Sequence, residues 1–151
     1  MEKEINHKWF LSHAPERVWE YLTNSELLSQ WLMENDFKPV VGHEFQFKAQ
    51  PRKKMGFDGN IYCRVLEVKP YDRLAYSWKG GPGNGEITLD SKVIWTLTPK
   101  DGGTELLLRH IGFKEEINTG SFIAMNHGWG SKIKDRFIEL INKKEDETTK
   151  V

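Results

Sequence analysis

Two runs of alternating side chains, joined by a glycine turn, constrain the fold of this chain more than any other feature. In the first run, from Ile87 to Leu97, apolar residues share the odd positions and polar residues occupy most of the even ones. Asp101-Gly102-Gly103 then turns the chain, and Leu106, Leu108 and His110 share one face of the second run. The pattern predicts an antiparallel hairpin with one buried face and one solvated face.

Shorter alternations predict four more strands, at residues 5–11, 44–48, 60–68 and 74–78. The apolar phase of the third changes near Val65-Leu66, which indicates a β-bulge. The following Lys79-Gly80-Gly81-Pro82-Gly83-Asn84-Gly85 predicts a loop, because glycine and proline disfavour a strand. This loop lacks the Gly-Lys-Ser/Thr of a phosphate-binding loop, so we interpret it as a plain connection.

Two short helices are predicted after the first strand. Pro15 suits the first position of a helix over residues 15–22. Thr23 and Glu26 have the spacing of a capping box, so a second helix is expected to begin there. Its apolar stripe consists of Leu27, Leu28, Trp31 and Leu32.

A long amphipathic helix is predicted at the end of the chain, with Ser121 as its N-cap and Lys143 near its end. Gly128 and Gly130 flank Trp129 within it, and each glycine costs about 1 kcal/mol relative to alanine. A bend, a close approach to the sheet or a ligand cavity would explain why glycines are present there.

The length of 151 residues indicates one domain, assigned to residues 1–143 and followed by a polar, frayed tail at 144–151. The 22 Lys and Arg residues balance 22 Asp and Glu residues, so neither nucleic acid nor a membrane surface is an expected partner. Cys63 is the single cysteine, which fits a reducing compartment. We therefore expect a cytoplasmic protein, and a monomer.

The order of strand, two helices, five strands and long helix predicts an α+β fold. Several motifs in this order are similar to one known family. They are Ala14-Pro15-x-x-Val18-Trp19, Thr23-x-x-Glu26-Leu27-Leu28-x-x-Trp31, Gly42-x-x-Phe45, Val65-Leu66-Glu67-Val68-x-Pro70-x-x-Arg73-Leu74-x-Tyr76-x-Trp78, Gly103-Thr104-x-Leu106-x-Leu108-x-His110-x-Gly112-Phe113 and Gly128-Trp129. The chain thereby resembles the START-like (SRPBCC) superfamily, in its branch of activator of heat-shock ATPase homologues.

This resemblance implies a helix-grip fold. In that fold a curved antiparallel sheet, here of about six strands, wraps round the long C-terminal helix and leaves a hydrophobic cavity between them. The large side chains that the pattern projects into this space are candidate walls of a ligand site, although the default interpretation of such residues is a packed core. They are Trp31, Phe37, Phe47, Trp78, Trp95, Met125 and Trp129.

Two polar residues are candidate anchors for a ligand in that cavity. His110 shares the parity of Leu108 and could hydrogen-bond a ligand, or could equally be a structural histidine that bridges other groups. Tyr62 offers a phenol, or exposes its tip at a rim. A nucleophilic pair of Cys63 and His110 would require neighbouring strands, whereas a lone strand cysteine is usually a small buried hydrophobe.

No other chemistry is indicated by the sequence. The five histidines show none of the usual metal-binding spacings, so we predict no metal, no cofactor and no catalytic residue. Arg52-Lys53-Lys54 is interpreted as a solvated basic loop tip, with an acidic partner as the alternative.

Residues and resemblance together favour a protein that binds a small hydrophobic ligand, an aromatic or polycyclic metabolite, and is not an enzyme. The resemblance also implies a second hypothesis, a stress-related regulator or co-chaperone-like protein with a protein partner. A third hypothesis is a cavity enzyme that acts on a polyketide-like substrate through His110.

Overall fold

A curved, seven-stranded antiparallel sheet forms the framework of the computed structural model, which describes residues 2–149. The strands are β1 (Glu2–Leu11), β2 (Glu34–Asn35), β3 (Glu44–Lys48), β4 (Asn60–Lys69), β5 (Arg73–Gly80), β6 (Leu89–Lys100) and β7 (Gly103–Lys114). Their order across the sheet is β1-β7-β6-β5-β4-β3-β2. Every neighbouring pair is antiparallel, so the predicted helix-grip class is confirmed.

Within residues 2–149, four α-helices accompany the sheet. They are α1 (Pro15–Thr23), α2 (Ser25–Trp31), α3 (Thr119–Gly130) and α4 (Lys132–Thr149). The first two lie between β1 and β2 in the chain, and the last two follow β7. The prediction of about six strands missed only β2, whose two residues are too few to show an alternation.

The central hairpin has the predicted turn. Asp101 and Gly102 adopt φ values of 49° and 76°, the left-handed conformations that a two-residue hairpin loop needs. The predicted bulge in β4 is also present, because the pairing register with β5 shifts between Val65 and Glu67. Ile87 differs from the prediction, since it precedes β6 and its side chain is 42% exposed.

The second helix begins at a different cap from the one predicted. The Asn24 side chain accepts hydrogen bonds from the backbone N–H groups of Glu26 and Leu27, at 2.9 and 3.1 Å. The hydroxyl of Thr23 instead donates to the Trp19 carbonyl at 2.8 Å, because Thr23 still belongs to α1. The predicted capping box is therefore wrong by one residue.

The long C-terminal helix is divided into α3 and α4 at Ser131. It begins at Thr119, two residues before the predicted cap Ser121. The break follows the two glycines, as the expectation of a bend there anticipated. A Cβ on Gly130 would lie 2.9 Å from Cε1 of His7, so this glycine allows close approach to β1.

A frayed tail is predicted at residues 144–151, whose side chains lie outside the described part of the chain. The backbone of α4 is helical as far as Thr149, and residues 150 and 151 lie outside the description.

Aromatic rings fill the interior of the grip. Trp95 lies at the centre, with ring centroids 5.7 Å from Trp9, 6.0 Å from Trp31 and 5.6 Å from Trp129. These four indoles are essentially inaccessible to solvent. Edge-to-face packing of this kind stabilises the core beyond the area that it buries. Because these rings fill the space over the middle of the sheet, that space has no room for a ligand.

Candidate functional site

A mostly apolar pocket of about 390 Å³ lies at one end of the grip, between α3 and the sheet. Strand pairing brings the start of β4, the end of β5 and the start of β6 to this end. The pocket is partly open to solvent. Its strand and connection residues are Ile61, Trp78, Gly80, Gly81, Thr88 and Leu89, its helical residues are Ser121, Ala124, Met125 and Gly128, and Met33 together with Ala49, Gln50, Arg52, Met55, Gly56 and Phe57 completes it.

Methionines are concentrated in this pocket. The chain has four, and Met33, Met55 and Met125 all line the same volume although they are far apart in sequence. A methionine side chain is unbranched and polarisable, so it adapts its shape to different apolar partners. A wall of three such side chains can therefore accommodate ligands of varied shape.

The connection between β3 and β4 supplies six of the lining residues. It is tied together by its own backbone, because Arg52 and Phe57 exchange N–H···O bonds of 2.8 and 3.2 Å round a 3₁₀ turn. Gly59, the last residue of the connection, has a φ of 96°. A Cβ on this residue would lie 2.7 Å from the Ala49 carbonyl oxygen. Only glycine fits that close approach.

Charge is sparse at the pocket. Within the described part of the chain, Arg52 is the one charged residue that lines the pocket, and no carboxylate lines it. The remaining polar side chains of the wall belong to Gln50, Thr88 and Ser121. The pocket therefore combines a wide apolar surface with a single cation.

Only two of the residues predicted from the sequence as cavity walls line this pocket, namely Trp78 and Met125. The other rings pack into the filled core, and each is at most 3% exposed. They are Trp31, Phe37, Phe47, Trp95 and Trp129. These five rings do not line the pocket, because each packs against other aromatic side chains of the core.

Tyr62 lies on the opposite face of the sheet. Its side chain is 38% exposed and borders an open depression of about 710 Å³ on the outer surface. Charged residues line that depression, and two of them, Arg64 and Glu44, form an ion pair. Tyr62 is therefore not an anchor for a ligand inside the grip.

His110 faces the interior, as its parity predicts, but its ring is fully engaged. The indole Nε1–H of Trp129 donates to Nδ1 of His110 at 3.1 Å. Because an indole can only donate, Nδ1 carries no proton and Nε2 carries the proton of the neutral ring. Nε2–H then donates to Ser91 Oγ at 2.8 Å, and the Ser91 hydroxyl donates to the Trp78 carbonyl at 2.7 Å.

Burial lowers the pKa of His110 from 6.5 to about 3, so the ring stays neutral at physiological pH. Both ring nitrogens have protein partners, and His110 does not line the pocket. The structural alternative from the sequence is therefore the one that the geometry favours. His110 links β7, β6 and α3, and it is not placed to act as an acid or base on a ligand in the pocket.

A nucleophilic pair of Cys63 and His110 is excluded by topology. Cys63 lies on β4 and His110 on β7, and two whole strands separate them in the sheet. Burial also raises the pKa of Cys63, which keeps the thiol protonated.

Among the side chains that the structure describes, those of residues 3–143, no group of three or more His, Cys, Asp or Glu is placed to hold a metal ion. None of the helices in that part of the chain is long and apolar enough to cross a membrane.

The family model described as "Activator of Hsp90 ATPase homolog 1-like protein" matches residues 12–142. The chain belongs to this family. Among curated proteins, none matches the sequence.

Solved structures support membership of the Activator of Hsp90 ATPase homolog 1-like family. Protein MLL2253 from Mesorhizobium loti is 31% identical, with 93% of this chain and 98% of that chain covered and a TM-score of 0.81. The Aha1 dimer from Colwellia psychrerythraea is 19% identical, with coverage of 88% and 92% and a TM-score of 0.70. DynU16, a putative protein in the dynemicin biosynthetic locus, is 18% identical, with coverage of 92% and 47% and a TM-score of 0.71. The last two show the shared fold alone.

Sequence reasoning missed most of the pocket. Met33, Met55 and Arg52 lie in connections, where no periodicity indicates which way a side chain points. One signal was available, namely that the methionines of an aromatic-rich chain occur in separate connections and one helix. Methionine is enriched at adaptable binding surfaces, and this would have made Met33 and Met55 candidates beside Met125.

Proposed function

We propose that this protein binds a small apolar metabolite in the pocket lined by Met33, Met55 and Met125. The observation that carries the proposal is the 390 Å³ apolar volume with three methionines on its wall, beside a core that is otherwise filled. Small-molecule sites are concave, mostly apolar volumes of about 300–1,000 Å³ with few polar groups. The pocket has that size and that character.

Aromatic or polycyclic compounds remain the ligand class that we propose. Trp78 and Phe57 provide ring surfaces on the wall, and the methionine sulfurs make favourable contacts with aromatic rings. DynU16, which shares the fold, comes from a biosynthetic locus, and this origin is compatible with a small metabolite as ligand.

Methionine methyl NMR tests the proposal directly. The protein is labelled with ¹³C at the methionine methyl groups and titrated with two neutral probes, naphthalene-1-acetamide and octanamide. We expect saturable shifts of the Met33, Met55 and Met125 signals, and a shift of the Trp78 indole without one of Trp19, which lies on α1. Absence of saturable shifts with both probes, or shifts confined to residues around Tyr62, would contradict the proposed site.

A matched pair of variants on α3 controls for indirect effects. Ala124 lines the pocket, whereas the adjacent Ile123 is 63% exposed and does not line it. Ala124→Trp should fill the volume and weaken binding of both amides at least tenfold, on the order of the 1.4 kcal/mol that a lost apolar contact costs. Ile123→Trp should bind as the wild type does. Equal affinities of the two variants would show that the probes bind elsewhere.

The regulatory hypothesis keeps one supporting observation, the name of the family to which the chain belongs. We retain a protein partner, a cytoplasmic location and a monomeric state as proposals. Light scattering after gel filtration tests the monomeric state, and turnover of a heat-shock chaperone ATPase with and without the protein tests the regulatory hypothesis.

The hypothesis of a cavity enzyme loses its proposed catalytic group, because both ring nitrogens of His110 are hydrogen-bonded within the core.

A further inference from the structure

We infer that the ligand of the pocket is an amphipathic anion, with an apolar body among the methionines and a carboxylate bound by Arg52. This inference rests on the proposed binding function and specifies the class of compound that fits. Three observations support it. They are the charge of the pocket wall, the lack of protein partners for the Arg52 guanidinium, and the backbone hydrogen bonds that hold the loop of Arg52.

The charge of the wall is positive and confined to one place. Among the lining residues that the structure describes, Arg52 is the only charged one, and none of them is an acidic residue that would compete for the guanidinium. A neutral ligand would leave that cation without a counter-charge, and a cationic ligand would be repelled by it. A carboxylate matches the planar donor fork of arginine, which binds it through two parallel hydrogen bonds.

The Arg52 side chain is also unengaged. Arg64, Arg73 and Arg109 each form an ion pair with a glutamate on the sheet surface. Arg52, in contrast, has neither an ion pair nor a side-chain hydrogen bond among the side chains that the structure describes, those of residues 3–143. Its guanidinium is therefore available to a ligand without first breaking a contact within the protein.

The loop does not depend on this side chain for its shape. The bonds between Arg52 and Phe57 join backbone groups, and the Met55 N–H donates to the Arg52 carbonyl oxygen at 2.9 Å. Replacing the guanidinium should therefore leave the pocket intact. Arg52 itself is exposed, so a bound carboxylate keeps part of its hydration while the body of the ligand leaves water.

Lys54 is a matched control. It belongs to the same basic run and lies in the same 3₁₀ turn, but it does not line the pocket. Arg52→Gln and Lys54→Gln remove the same charge from the same loop. A long-range electrostatic effect would be lost in both variants, whereas a contact with the ligand would be lost in Arg52→Gln alone.

The experiment compares acids with amides of the same skeleton. Naphthalene-1-acetate and octanoate are titrated beside naphthalene-1-acetamide and octanamide at pH 7 by calorimetry and methionine methyl NMR. We expect the wild type and Lys54→Gln to bind each acid about tenfold more tightly than its amide, the magnitude of a charge-assisted hydrogen bond. Arg52→Gln should lose the preference, so that each acid and its amide bind this variant with similar affinity.

Four results would overturn the inference, and they are distinguishable from one another. Equal binding of acid and amide by the wild type would contradict recognition of the carboxylate by Arg52, and so would a preference that persists in Arg52→Gln. In both cases the pocket would still be a binding site for apolar ligands. Loss of the preference in both variants would show that the acids respond to the overall charge of the loop and not to a direct contact with Arg52. Absence of binding by all four probes would overturn the proposed function and this inference with it.

Discussion

The indole of Trp129 on α3 donates its Nε1–H to Nδ1 of His110 on β7 across 3.1 Å. Because this donor faces Nδ1, the histidine must be neutral with its proton on Nε2, and Ser91 must accept that proton's hydrogen bond. A protonated ring would place two N–H donors against each other. One contact between a helix and the sheet therefore sets the protonation state of a buried residue.

The buried histidine predicts a specific loss of stability in mild acid. Its folded-state pKa, about 3, lies below the ordinary 6.5, so the unfolded chain binds the proton more tightly. The stabilising contribution is complete above pH 6.5 and is lost as pH falls towards 3. Between these limits we expect the free energy of unfolding to fall by about 1.4 kcal/mol per pH unit on account of His110.

Urea denaturation of the wild type and of His110→Gln at pH 7, 6 and 5 measures this contribution. The two proteins share every other ionisable group, so the effects of those groups cancel in the difference. The stability advantage of the wild type should shrink as pH falls. A difference that stays constant with pH would contradict a neutral, buried His110.

Ser91 is predicted to be the most sensitive serine of the core. Ser91→Ala removes the hydroxyl that donates to the Trp78 carbonyl, and it also removes the acceptor of the His110 Nε2–H, which leaves a buried donor unsatisfied. We expect a loss of about 1–3 kcal/mol in the free energy of unfolding. Ser29→Ala, which removes a hydroxyl bonded to the Glu26 carbonyl on the exposed side of α2, should cost less than about 0.5 kcal/mol in the same urea experiment.

The N-cap of α2 provides another quantitative test. Asn24→Ala removes the acceptor for the backbone N–H groups of Glu26 and Leu27, and it should cost about 1 kcal/mol of stability. Thr23→Ala loses a bond within α1 and should cost less. Thermal unfolding of the two variants ranks them. If Thr23→Ala proved the more harmful, the sequence-based capping box would be right after all.

The sequence predicted those features that depend on periodicity. The alternation of Leu106, Leu108 and His110 placed the histidine inside, and the structure confirms this orientation. The same rule places Tyr62 outside, because it has the opposite parity to Ile61 and Cys63, which are buried. Assigning Tyr62 to the cavity gave its chemistry more weight than its position.

The open volume itself could not be predicted from the sequence. Trp95 and Trp78 occupy the same kind of strand position, yet one contacts only other core groups and the other borders the pocket. Whether rings fill a space depends on their mutual angles, which no linear pattern contains. Arg52 is exposed, as predicted for a solvated loop tip, but the sequence did not place it on the pocket wall, since the course of the 49–59 connection is set by turns and not by alternation.

The two glycines that flank Trp129 are predicted to respond differently to alanine. At Gly128 a Cβ would lie 3.7 Å from Ile133, an ordinary contact, so Gly128→Ala should stabilise α3 by up to about 1 kcal/mol. At Gly130 a Cβ would lie 2.9 Å from the ring of His7. That ring is held by Asn126, whose carbonyl and side-chain oxygens are 3.1 and 2.9 Å from His7 Nε2. Gly130→Ala should therefore gain less, or destabilise.

Removing the histidine tests whether this contact is the cause. In a His7→Ala background the added methyl group meets no ring, and Gly130→Ala should then be stabilising, as Gly128→Ala is in the wild type. Urea denaturation of the single and double variants completes the cycle. A penalty for Gly130→Ala that persists without His7 would place its origin in the helix break at Ser131. A penalty that disappears would show that Gly130 is required by the approach of α3 to β1.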